Sequence, residues 1–203
     1  MRTLVIDSAT EACSVALFEG DELLAAACEV IGRGHAERLV PMIAELPDKG
    51  RAARVVVSLG PGSFTGVRIG LAAARALGLA WQAEVLGYPT LALVAAMAHG
   101  TDRRPVTVCM SGGHGEWFVQ DFGADGLPEH ELRSQKPEVA LLDIHHSFAA
   151  GSKARELLRL DGQGMVALDI LPDARHFLTL PPCLLTGELA PLYGRPPDAR
   201  LPA

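Results

Sequence analysis

The stretch that decides the fold is SLGPGSFTGVRIGLAAARALG, Ser58 to Gly78. A β-branched run, Val55-Val56-Val57, leads into it, and an apolar segment of helical composition follows its glycines at once. Strand, glycine loop and helix is the order that turns backbone N–H groups and a helix dipole toward an anion. Two phosphate-binding patterns are tested against it and neither fits. A P-loop needs a lysine after its last glycine to reach the β- and γ-phosphates, and Val67 and Arg68 stand there. A dinucleotide fingerprint needs GxGxxG after a first strand and an acid about 20 residues on. Here the spacing is GxGxxxG (Gly60, Gly62, Gly66), after what reads as a fourth strand, with Glu84 as the only acid near that distance. The other reading is a tight strand-to-helix turn with Ser63 or Thr65 as N-cap.

The segment after the loop is unusually apolar. Between Val67 and Trp81 its only charges are Arg68 and Arg75, seven apart and so on one face. Gly66, Gly70, Ala74 and Gly78 make a stripe of small residues at every fourth position. A helix of this kind is expected to be covered on two sides rather than to lie on a sheet with its back to water. Burial inside one domain and a helix-to-helix interface with another protein both meet that need, and the interface is the preferred reading. A bulky residue at Gly70 or Ala74 is then expected to weaken assembly.

Composition narrows the functional classes. The chain has 203 residues, 49% apolar and 21% charged, which suits one large globular domain or two small ones. A net charge of −6 argues against a protein that grips nucleic acid unaided. No signal-peptide pattern is visible at MRTLVIDSATEA, and no window approaches the ~18 apolar residues of a membrane span. The four cysteines, Cys13, Cys28, Cys109 and Cys183, show no CxxC or zinc spacing and read as reduced, buried thiols. A cytoplasmic protein is expected.

Periodicity predicts strands at 3–7, 13–18 and 22–30, a hairpin turn at Glu19-Gly20-Asp21, and a helix over 35–46 in which Pro41 implies either a kink or a helix proper starting near 40. A strand at 54–59, a helix over 65–82, a short strand at 84–86 and a helix over 90–99 follow. The polar break HGTDRRP (99–105) is the predicted boundary, after which strands at 106–110 and 116–122 partly restart the pattern. Antiparallel strands followed by β-α-β crossovers imply an α/β architecture with a mixed sheet. The expected division is 1–103, 104–190, and a terminal segment or mobile tail, 191–203.

Few residues suggest catalysis. Asp7, with Ser8 and Thr10, closes the first strand where actin-like and sugar-kinase-like ATPases hold metal and phosphates; a solvated turn is the plainer reading. His114-Gly115-Glu116 mimics the HxE of zinc deaminases but lacks their downstream PCxxC. His145 and His146 are adjacent, point apart on any regular element, and read as surface residues. His35 lacks a histidine four residues on, since position 39 is Leu. No catalytic set and no metal site is assigned.

Taken together, IDSATEACSVALFEGDELL, GHAERLVPMI, VVSLGPGSFTGVRIGLAAARALGLA and PLYGRPPDA resemble the bacterial TsaB (YeaZ) family. The likeness covers nearly all of residues 1–97, is weaker over about 105–185 and returns at 191–199. It implies the two-lobed actin/Hsp70/sugar-kinase (ASKHA) fold with a reduced second lobe. It also implies a part in making N6-threonylcarbamoyladenosine at position 37 of tRNAs that read ANN codons. In that role the chain would be a non-catalytic partner of the metal-bearing transferase TsaD. The ATPase TsaE would join the cycle, no cofactor would be needed, and tRNA would be met only through the complex. The resemblance places the TsaD interface, and a homodimer of the chain alone, on the helices at 35–46 and 65–82. The residues it names are His35, Leu39, Met42, Ile43, Thr65, Gly66, Arg68, Ile69, Gly70, Ala73, Ala74 and Leu77. Ser111-Gly112-Gly113-His114-Gly115-Glu116 departs from the family's Asp-Ala-Arg-x-Gly-Glu at the start of the second lobe. An active ATPase of the same fold, or a metallopeptidase, is the alternative.

Overall fold

The structure is a computed structural model that describes residues 1–100, 103–162 and 164–194. Its ten strands among those residues form two five-stranded sheets that share one topology. In the first, β1 (Arg2–Asp7), β2 (Ala12–Glu19), β3 (Glu22–Val30), β4 (Arg54–Ser58) and β5 (Glu84–Tyr88) lie in the order β3-β2-β1-β4-β5. The first three strands pair antiparallel, and β4 and β5 add to β1 in parallel. In the second, β6 (Val106–Gly113), β7 (Glu116–Phe122), β8 (Arg133–Gln135), β9 (Phe148–Ala150) and β10 (Val166–Leu168) lie in the order β8-β7-β6-β9-β10. Again three strands are antiparallel and two parallel. The restart expected after residue 105 is a second copy of the same winding, trimmed to three residues in each of β8, β9 and β10.

Side-chain alternation along β1 and β4 assigns the layers. Leu4, Ile6, Val55 and Val57 face α1 (His35–Glu45) and α2 (Phe64–Trp81), where they meet Leu39, Met42, Val67 and Leu71. Val5 and Val56 face the other way, onto α3 (Thr90–His99), which is packed in turn against Val106, Val108 and Phe122 of the second sheet. The far side of that sheet carries α4 (Pro137–Leu142) and α5 (Ala154–Asp161) over Cys109, Trp117 and Val119.

The helix that this chain itself covers on both sides is α3, in which every residue from Thr90 to Ala96 is buried. Leu91, Leu93 and Val94 are fully buried there, each contributing about 1.5–3 kcal/mol of transfer free energy. By contrast α2 lies on a single sheet and shows Leu79 to solvent at 85% exposure. The cysteines differ from expectation: all four are free thiols, but Cys28 and Cys183 are exposed. Pro41 does not end α1; it sits on the solvent side, where the carbonyl it leaves unpaired can bond water.

The chain after β10 returns to the first sheet. Ser14 accepts a hydrogen bond from the Ala174 amide at 3.0 Å, Gly87 and Thr186 exchange two backbone bonds, and Leu192 N donates to Leu59 O at 2.8 Å. Residues 191–194 of the expected tail are thereby tied down, and 195–203 lie outside the described residues. No helix among the described residues is long and apolar enough to cross a membrane.

Candidate functional site

The glycine loop is built onto the turn after β1. Ser63 N donates to Ala9 O at 2.6 Å, and a Cβ at Gly62 or Gly66 would collide with the carbonyl of Ala9 or Ser8. Only glycine allows two backbones to approach this closely. Ser63 is the N-cap of α2, its hydroxyl accepting from Gly66 N at 3.2 Å, while Val67 N donates to Ser63 O at 3.0 Å. These first-turn donors are satisfied within the loop itself. The small-residue stripe of α2 faces inward too, since a Cβ on Gly70 would lie 2.5 Å from Ser8 Oγ, and Gly78 packs on Val85. Small residues here let the helix lie close to its own sheet, and the proposed effect of bulk at Gly70 is corrected accordingly: it would act on the fold.

The three acid-turn residues do not share one surface. Asp7 is fully buried, with Oδ1 accepting from Ala9 N at 3.0 Å and Oδ2 from Tyr88 Oη at 2.8 Å. Burial pushes its carboxyl up to about 6, against 3.8 when exposed, with the two hydrogen bonds pulling the other way. Ser8 Oγ donates to Gly66 O at 2.9 Å and is also buried. Thr10 does line a cleft of about 940 Å³ between the two sheets' loops. Across from it stand Ser111, Gly112, Gly113 and His114 of the β6–β7 turn, with Phe64, Arg68 and Tyr193 on the same walls. Arg68 closes one side, its guanidinium 3.5 Å above the Phe64 ring and bonded to Tyr193 Oη at 3.0 Å. Sequence reasoning missed Tyr193 here, and its pairing with a residue 125 positions away leaves no local signal.

The other candidates take definite places. His35 is buried at the start of α1, with Nε2 3.3 Å from Ala12 O, and Leu39 fills the core below it. Met42, Ile43, Gly66, Gly70 and Ala74 are likewise buried within the chain, whereas Thr65 and Arg68 are exposed and Ile69, Ala73 and Leu77 half-buried. Arg75, on the face of Arg68, donates to Leu189 O at 2.8 Å. What α2 leaves open is an apolar strip of Ile69, Ala72, Ala76, Leu79 and Ala80, and Val40 of α1 is exposed as well. Glu116 is engaged by Ser134 Oγ at 2.7 Å. His145 and His146 turn to different carboxylates, Asp121 and Glu129.

Comparison with known proteins now bears on this geometry. Residues 27–126 match the family model described as TsaD, tRNA N6-adenosine threonylcarbamoyltransferase. The tRNA threonylcarbamoyladenosine biosynthesis protein TsaB of Haemophilus influenzae is 39% identical over 199 residues, covering 87% of this chain and 83% of that protein. The chain belongs to the TsaB (YeaZ) family. The Escherichia coli TsaB is 43% identical over 149 residues, a match spanning 68% of this chain and 64% of the relative. YeaZ from Pseudomonas aeruginosa superposes with a TM-score of 0.74 at 29% identity, covering 88% of this chain and 89% of that one. The twice-repeated sheet order is accordingly the two-lobed ASKHA fold, reduced in its second lobe as β8–β10 show. In this TsaB-family chain the β6–β7 turn forms one wall of the inter-lobe cleft. Gly113, His114 and Gly115 all have positive φ there, which suits two glycines around one strained non-glycine residue.

Proposed function

We propose that this chain is a non-catalytic partner of a TsaD-type transferase in forming N6-threonylcarbamoyladenosine at position 37 of tRNAs reading ANN codons. It works in the cytoplasm with TsaE as a third member, meets tRNA only through the complex, and self-associates when alone. The observation that carries the reading is the apolar strip on the outside of α2, Ile69, Ala72, Ala76, Leu79 and Ala80. Contiguous exposed apolar surface on a helix suits docking to another protein. The interface proposed from sequence is narrowed to the accessible part of its residues, Thr65, Arg68, Ile69, Ala73 and Leu77, extended by this strip. The candidates for chemistry support the same reading, because Asp7 is committed to Tyr88 and Ala9, and His35 to Ala12.

A transfer assay with tRNA, TsaD and TsaE, run with and without this chain, tests it. Threonylcarbamoyl transfer is expected only when the chain is present, and full transfer without it refutes the proposal. Ala76→Arg puts a charge on the strip and is expected to abolish co-elution with TsaD while leaving the fold intact. Unchanged co-elution would remove α2 from the interface.

A further inference from the structure

A polar cluster on the second sheet lies away from both the cleft and the α2 strip. Asp121, next to the end of β7, is completely buried. Its Oδ1 accepts from Thr107 Oγ1 at 2.6 Å. Its Oδ2 accepts from Arg133 Nη2 at 2.9 Å and has His145 Nδ1 at 3.0 Å and His130 Nδ1 at 3.4 Å. The side chains of both histidines are 47% exposed, so solvent reaches the imidazole side of a carboxylate that is itself sealed.

We propose that Asp121, His130 and His145 bind a first-row divalent transition metal of the Zn²⁺ type. Their three ligand atoms lie within 4.8 Å of one another, close enough to converge on a single ion. Two imidazoles and one carboxylate suit zinc, with a fourth position left to water. The Thr107 hydroxyl holds the carboxylate from behind, as outer hydrogen bonds do for metal-binding side chains.

The histidines are brought together by built contacts. Glu129 N donates to Asp121 O at 2.9 Å and Gln120 Nε2 to His130 O at 3.1 Å, which fixes His130 beside β7. The pair His146 Nε2–Glu129 Oε2, at 2.8 Å, joins the segment that carries His145 to the one that carries His130. Charge favours a dication. Two carboxylates, Asp121 and Asp143, flank one guanidinium, Arg133, and a third, Glu129, pairs with His146. Arg133 is also the competitor for Oδ2. It lies 3.8 Å from Asp143, and its Nε is buried without a hydrogen-bond partner, so it can lean toward Asp143 when Asp121 takes a metal. The imidazoles now stack, with centroids 4.7 Å apart and planes 18° apart. Binding requires them to rotate until both Nδ1 lone pairs meet one ion, each ring keeping its proton on Nε2 and releasing any Nδ1 proton to water. The metal would then tie the loop before β8 to the segment after α4.

The test is a Zn²⁺ titration of the chelator-stripped full chain by calorimetry at about pH 7.5. Co²⁺ serves as a visible-absorption probe of coordination. One ion per chain is expected, with affinity about tenfold or more weaker in His130→Ala and in His145→Ala. Both replaced side chains are half exposed, so the variants should keep the wild-type metal-free Tm, and His114→Ala is the control that should bind normally. Failure of the wild type to take up Zn²⁺ at about 100 µM free ion would overturn the proposal, since no useful stabilisation would follow. So would a His130→Ala/His145→Ala double variant that binds as tightly as wild type, which would place the ion elsewhere. A cluster that only hydrogen-bonds gives the first of these results.

Discussion

Asp7 should make the protein less stable as pH rises through the weakly acidic range. Its carboxyl is fully buried and titrates at about 6, against 3.8 for an exposed aspartate. Between those values the folded chain holds a proton that the unfolded chain has released. Stability therefore falls with rising pH, the opposite of the usual salt-bridged aspartate. The gap of about 2.2 units corresponds to about 3 kcal/mol in full, of which about 1.4 kcal/mol falls between pH 5 and 8. Asp7→Asn removes the ionisation while preserving an acceptor for Ala9 N and a polar group for Tyr88 Oη. Urea unfolding of wild type and variant at intervals from pH 5 to 8 isolates the effect, because other titrating groups cancel in the difference. The variant's stability relative to wild type should climb by about 1.4 kcal/mol across that range, whatever its offset at pH 5. A difference that stays flat, or that falls with pH, refutes the reasoning. Tyr88→Phe removes a hydrogen bond that favours the ionised form, and should move the decline to higher pH.

The loop and its neighbours yield three further tests. Gly66→Ala should destabilise by about 2 kcal/mol or more in chemical denaturation despite the ~1 kcal/mol helix preference of alanine, because its methyl meets the Ser8 carbonyl. Ser63→Ala should cost about 1 kcal/mol by the same measurement, through loss of the cap on Gly66 N. Arg68→Met should leave global stability almost unchanged yet raise the rate of proteolysis near Tyr193, since it removes the hydrogen bond to the Tyr193 hydroxyl.

What the sequence by itself determined was local. The apolar, β-branched runs VID, CSVALF and Val55-Val56-Val57, with the Gly20 turn, mark strands from neighbouring residues alone. SFTGVRIG shows a capped helix start and lacks the phosphate-binding lysine, and both conclusions need only neighbours a few positions apart. The resemblance of residues 1–97 to the TsaB family likewise rests on contiguous motifs. Tertiary structure decided which way each face turned. The stripe Gly66, Gly70, Ala74 and Gly78 has the spacing of a docking face, yet it lies on the protein's own sheet, because close backbone approach serves either contact equally well. TLALVAAMAH, with little helical periodicity, is the helix buried on both sides, and only the second sheet packing onto it shows why. Three-residue strands such as Phe148–Ala150 are too short to show a period and exist through their parallel neighbours. Asp121, His130 and His145 are spread over 25 positions with no motif between them. They meet because β7, the loop before β8 and the segment after α4 converge, and distance in the chain says nothing about that.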